Sequence, residues 1–168
     1  MMEKELLLAS NNEHKRQEFV RLFPGVGILT PGDIGLRFDF DEDGETFLAN
    51  AFGKAEALFH LAGRPVIADD SGLCVQALGG EPGIFSSRYG AGTGGALLAA
   101  PQRNAYLLDR MEGLPDRAAW FVCCLVVMLE ESRILVWFGG GDVAAPAQNL
   151  HGQIGLATLV PVGANLSR

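Results

Sequence analysis

The run Ala118 to Leu129 constrains the fold of this chain most. It carries no charge and is rich in Val and Cys. Such a run suits a strand covered on both faces, which requires layers packed on either side of a sheet. Ile134 to Phe138 is its expected neighbour, with Glu130 to Arg133 as the hairpin turn between them. Earlier in the chain, Leu6-Leu7-Leu8-Ala9 reads as a buried first strand. Ser10-Asn11-Asn12 breaks it, and the Ser and Asn are good caps for a helix from Glu13 to about Phe23. Pro24-Gly25 ends that helix, and a polar stretch follows. A second helix is expected from about Glu45 to Ala62, with a broad apolar arc of Phe47, Leu48, Ala51, Phe52, Ala55, Leu58, Phe59 and Ala62. Gly63 terminates it. Pro65 to Asp69 reads as a strand, Leu73 to Ala77 as another short one, and Pro101 to Met111 as a third helix. The order β-α-α-β-β-α-β-β indicates a mixed α/β sheet with flanking helices.

A length of 168 residues fits one domain, or two lobes sharing a core. No repeat and no interdomain linker is visible, so residues 1–168 are taken together, with 139–168 set apart as an atypical tail. There is no apolar stretch long enough for a membrane span. The start, Met1-Met2-Glu3-Lys4-Glu5, lacks the apolar core and cleavage site of a signal peptide. Cys74, Cys123 and Cys124 form neither a disulfide framework nor a zinc spacing. A reducing cytoplasm is the simplest expected location. The net charge of −7 argues against nucleic acid as a partner. A small phosphate-bearing ligand remains compatible, given a local basic cluster and a metal.

Four places carry chemistry. Asp69 and Asp70 end an apolar stretch and meet Ser71-Gly72, which reads as a turn. Adjacent carboxylates repel, and a divalent cation would relieve that cost. On a strand the two side chains point to opposite faces and should do different jobs. Taken alone, the pair is better accounted for by an acidic loop edge capping the turn. The strand, bend and helix at Ser10-Asn11-Asn12 form a short anion-binding arrangement, because helix N-terminal amides favour negative charge. Lys15 lies in that first turn, where the dipole mildly disfavours it. It is either compensated by an anion or an ordinary surface lysine. Asp39-Phe40-Asp41-Glu42-Asp43 could supply further oxygen ligands of the kind magnesium prefers, or be a solvated loop. Lys54 falls at the border of the second helix's apolar arc, with its ammonium at an edge, and Arg88 lies in a glycine-rich loop.

Several ordered motifs resemble the Ham1 (inosine triphosphate pyrophosphatase) family. Leu8-Ala9-Ser10-Asn11-Asn12 with Lys15 and Glu18 is similar to its opening motif. Gly44-Glu45-Thr46-Phe47, Asn50-Ala51 and Lys54-Ala55 look like the second. Ala68-Asp69-Asp70-Ser71-Gly72-Leu73, then Ala77-Leu78-Gly79-Gly80, Pro82-Gly83-Ile84 and Ser87-Arg88-Tyr89, resemble the third. The likeness spans roughly Leu6 to Phe138.

The resemblance implies an elongated central sheet with two lobes around a cleft. It implies a homodimeric, Mg2+-dependent enzyme that cleaves noncanonical purine nucleoside triphosphates, such as ITP, dITP and XTP, to monophosphate and pyrophosphate. By position, Ser10, Asn11, Asn12, Glu13, His14 and Lys15 would hold the triphosphate. Asp70 would be the catalytic acid/base and a metal-associated carboxylate beside Asp69. Ser71 and Arg88 would touch substrate, Lys54 would face the phosphates as a catalytic cation, and Asp41 or Glu42 would be a metal ligand. Two departures stand out. Ala49 precedes Asn50 where the family usually has Glu. From Gly139 onward the family's Gly-Phe-Gly-Tyr-Asp-Pro and Ser-His-Arg motifs are missing, and the tail reads as Gly/Ala/Pro-rich coil with one apolar stretch, Ile154 to Val162. A nucleotide-binding or dimerising remnant without turnover is therefore one alternative. A Maf-like nucleotide pyrophosphatase of other base preference is another.

Overall fold

In a computed structural model, residues 5–91, 96–142 and 160–161 are described. Among them the elements run β1 (Glu5–Leu8), α1 (Glu13–Leu22), β2 (Gly27–Leu29), α2 (Phe47–Ala62), β3 (Val66–Val75), α3 (Ala100–Arg110), β4 (Ala119–Glu130), β5 (Arg133–Asp142) and β6 (Val160–Pro161). Short 3-10 turns lie at Pro31–Ile34, Gln76–Leu78 and Gly83–Phe85. The described strands form one sheet in the order β2-β1-β3-β4-β5-β6. β1 pairs in parallel with both β2 and β3, and β5 pairs antiparallel with β6, so the sheet is mixed. The α/β class expected from the sequence is the class observed.

The chain divides into two compact units. Among the described residues the first comprises 5–70, 124–137 and 160–161; the second comprises 71–91, 96–123 and 138–142. In the first unit the sheet is covered on both faces. Leu7, Ala51, Ala55, Leu58, Val66, Ala68, Cys124 and Val126 pack together on the α2 side. Leu8, Phe19, Ile28, Ile67 and Val127 pack on the α1 side. The register Leu7 opposite Val66 and Leu8 opposite Ile67 follows from this division, because a one-residue slip would exchange the two cores. α2 begins at Thr46, whose side chain accepts from the Ala49 N–H. It ends at Gly63, whose φ of 62° is left-handed and suits glycine.

In the second unit, Val75 and Met111 are buried, and the Ser86 hydroxyl accepts from the Leu73 N–H at 2.9 Å. Tyr89 donates to Glu81 at 2.8 Å and packs edge-on against Tyr106. Burial and that hydrogen bond push the Tyr89 hydroxyl up to about 12.

Four expectations need correction. Ser71-Gly72 is not a turn. β3 is a single ten-residue strand that runs straight through Asp69-Asp70-Ser71-Gly72 to Val75, replacing the two short strands expected. Ladder pairing and burial of its flanks override the turn propensity of those residues. The polar stretch after Pro24-Gly25 contains β2, a three-residue strand whose Ile28 enters the core. The strand at Ala118 to Leu129 is not covered along its whole length. Cys124, Val126, Val127 and Met128 are buried, but Phe121 is 40% exposed. The tail is not coil from Gly139, since β5 continues to Asp142 and β6 pairs with it at Val160–Pro161. The rest of the expected coil, 143–159 and 162–168, lies outside the described residues.

Candidate active site in the first unit

Strand alternation places the two aspartates. Val66 and Ala68 face the α2 core and Ile67 faces the α1 core. Continuing that alternation sends Asp69 toward α1 and Asp70 toward α2. The contacts agree. Asp69 accepts both its hydrogen bonds from Lys15 Nζ of α1, at 2.9 and 3.0 Å. Asp70 accepts from Asn50 Nδ2 of α2 at 2.9 Å. Both aspartates are buried. The adjacent acids therefore have different partners, as expected of residues still inside a strand.

The bend after β1 is built from its own side chains. The Ser10 hydroxyl accepts from the Asn12 N–H, and Asn12 Oδ1 caps α1 by accepting from the His14 and Lys15 amides. Asn11 Nδ2 donates to the Phe38 carbonyl at 2.8 Å, tying the bend to the acidic loop. Glu13 and His14 are exposed, and Glu13 pairs with Arg16 one turn on. Lys15, an awkward residue for a helix start, is compensated by Asp69. Burial alone would lower its pKa. Asp69, and then Glu42 and Asp70, outweigh that and hold the ammonium above the ordinary value of 10.5. Lys15 thus senses three carboxylates from two separate segments.

The acidic loop is fixed to α2 at both ends. The Phe40 ring lies where a Cβ on Gly53 would sit, with Cζ 2.8 Å from that point. The Gly44 N–H donates to Asn50 Oδ1 at 2.8 Å. Between these anchors Glu42 forms an ion pair with Lys54. Asp39, Asp41 and Asp43 are exposed, so of these acids Glu42 alone turns inward. Lys54 is only 7% exposed, deeper than the edge position expected, because Glu42 supplies its countercharge.

The first unit therefore gathers Lys15, Lys54, Glu42, Asp69 and Asp70, with Ser10, Asn11 and Asn12 shaping the helix entrance. Asp41 points to solvent. Ser71 and Arg88 belong to the second unit. Ser71 is half-buried in β3, and the Arg88 guanidinium lies 5.0 Å from the centre of the Phe85 ring. Asn50 was not singled out from the sequence as a site residue. Its signal was present: a polar residue on the apolar face of a helix, one turn before Lys54.

Among the described residues no three His, Cys, Asp or Glu side chains stand as a ready metal cluster. Magnesium seldom uses an all-protein cage and takes one or two carboxylates together with substrate phosphates. The hard oxygen donors of Glu42, Asp69 and Asp70 fit that chemistry. No described helix is long and apolar enough to cross a membrane.

The family model of Ham1 matches residues 6–148. The chain belongs to the Ham1 family. A dITP/XTP pyrophosphatase of Treponema pallidum (strain Nichols) is 52% identical over 134 residues, covering 80% of this chain and 49% of that protein. The protein of the same name from Treponema denticola is 46% identical over 129 residues, covering 77% and 66%. The chain thus spans about half the length of the Treponema pallidum relative. Among solved structures, the Staphylococcus aureus Ham1 protein superposes with a TM-score of 0.71 at 36% identity, over 83% of this chain and 70% of that one. A HAM1 protein from Coxiella burnetii gives 0.68 at 33% identity, over 81% and 72%. The architecture of this Ham1-family chain is therefore shared with members of solved structure.

Proposed function

We propose that this chain hydrolyses noncanonical purine nucleoside triphosphates, such as dITP, ITP and XTP, to the monophosphate and pyrophosphate, with magnesium. One observation carries the reading: two ammonium groups and three carboxylates converge in the first unit, each pair joining an α-helix to a strand or loop. Lysines paired with carboxylates can exchange those partners for phosphate oxygens. A Mg2+ ion, when bound, would supply charge neutralisation on the polyphosphate, with one or two of Glu42, Asp70 and Asp69 to hold it. Asp41, being exposed, is the weaker candidate.

The residues then divide the work. The positive end of the α1 dipole favours an anion near the bend, although Asn12 Oδ1 occupies the His14 and Lys15 amides. Lys15 and Lys54 stabilise the negative charge that grows on the departing pyrophosphate. Asp70 orients the attacking water and accepts its proton as the phosphorus–oxygen bond to pyrophosphate breaks. The names of the relatives, dITP/XTP pyrophosphatase, support the substrate class. Ser71 and Arg88 as substrate contacts, homodimer formation and a cytoplasmic location belong to the same proposal; light scattering at working concentration tests the dimer.

The deciding assay incubates the chain with ITP and Mg2+ and identifies the first product. Pyrophosphate supports the reading, and orthophosphate rejects it. Calorimetry with the same mixture separates the remnant alternative, which binds ITP without turnover.

A further inference from the structure

We infer that Asn50 is a positioning residue, a two-sided tie that fixes the Asp70 carboxylate and the Glu42 loop against the same helix. The inference rests on the proposed reading of Asp70 as the group that handles the attacking water.

Asn50 is 1% exposed, so its amide has no water to fall back on. Its two ends are assigned by chemistry. The Gly44 N–H can only donate, so the group facing it at 2.8 Å must be Oδ1. That leaves Nδ2 toward Asp70 Oδ2 at 2.9 Å, and the carboxylate oxygen must accept. A single side chain thereby sets the position of Asp70 and the path of the loop that carries Glu42 two residues earlier. Lys54, one turn further along α2, pairs with that same Glu42. The fit is tight from the other side as well. A Cβ on Gly44 would lie 2.6 Å from Asn50 Oδ1 and 2.9 Å from the Ala49 Cβ.

A loop-capping role and a positioning role predict opposite orders for two variants. Asn50→Asp keeps an acceptor for the Gly44 N–H but replaces the donor to Asp70 with a like charge. Asn50→Ala removes both bonds. If Asn50 positions Asp70, Asn50→Asp is the worse enzyme despite the better-conserved shape. With Mg2+ and ITP, Asn50→Ala lowers kcat about 10-fold and Asn50→Asp about 100-fold, with KM within about threefold of wild type in both. Gly44→Ala, which presses on the same amide from the loop side, lowers kcat in the same way. By NMR hydrogen exchange the Gly44 amide is unprotected in Asn50→Ala and protected in Asn50→Asp. If Asn50→Asp is more active than Asn50→Ala, or if the losses appear in KM alone, the inference is overturned. A crystal structure of Asn50→Ala decides it independently of turnover, so inactivity of the wild-type chain would reject the proposed function without blocking this test. A displaced Asp70 carboxylate upholds the tie, and an unmoved one overturns it. Should Asn50→Ala not fold, the structure of Gly44→Ala gives the same reading.

Discussion

Lys15→Met tests the joint between the helix start and the paired aspartates. The Asp69 side chain is 9% exposed and takes both of its hydrogen bonds to Lys15 from one ammonium. Removing that ammonium leaves a buried carboxylate without its strong partner. Breaking a fully buried pair costs about 3–5 kcal/mol. The Lys15 side chain is 31% exposed, so solvent screening reduces this to about 2 kcal/mol. For a chain of this size that corresponds to a fall in melting temperature of about 4–8 °C. The pH dependence has a definite sign. The Lys15 pKa is raised on folding, so the pair's contribution is complete below 10.5 and is lost as pH rises above it through the folded-state value. The gap between wild type and Lys15→Met therefore stays constant through neutral pH and closes above 10.5. The assay is chemical denaturation of wild type, Lys15→Met, Asp69→Asn and the double variant. The double variant is expected to lose much less than the sum of the single losses. A coupling below about 0.5 kcal/mol would show that the two side chains act independently and would refute the reasoning.

Asp70→Asn is expected to lower turnover about 100-fold or more with little change in denaturation midpoint, because the new amide oxygen still accepts from Asn50; an unchanged rate removes Asp70 from the chemistry. Lys54→Met removes one ammonium that pairs with Glu42 and should both weaken ITP binding, read by calorimetry, and lower the melting temperature. Leu58→Ala opens space in the fully buried α2 core and should cost about 2–5 kcal/mol while activity per folded molecule is kept, which separates core from site. Chelation of divalent ions should stop pyrophosphate release, and added Mg2+ should restore it.

Much of this arrangement was written in local pattern. Strand alternation predicted that Asp69 and Asp70, if both lay on the strand, would do different jobs, and the Asn12 cap, the Gly63 stop and the apolar arc of α2 were all readable by their spacing. Three features were not. Asp69-Asp70-Ser71-Gly72 has the composition of a turn, and only pairing with neighbouring strands keeps it extended. β2 is three residues long, too short to show a period. The inward turn of Glu42 rather than Asp41 depends on Phe40 lodging against Gly53 and on Gly44 bonding Asn50, contacts made across the loop and helix that no local spacing reveals. Asn50 carried a local signal one turn before Lys54, but its two partners, 6 and 20 residues away, did not.

The account turns on the charge cluster of the first unit being where the triphosphate sits. A crystal structure with Mg2+ and an ITP analogue that resists cleavage measures this directly. The account predicts phosphate oxygens against Lys15 and Lys54, with Asp69 and Glu42 released from those ammoniums and the cation held by one or two of Glu42, Asp69 and Asp70 together with phosphate oxygens. A nucleotide bound elsewhere, with both lysine–carboxylate pairs intact, would contradict it.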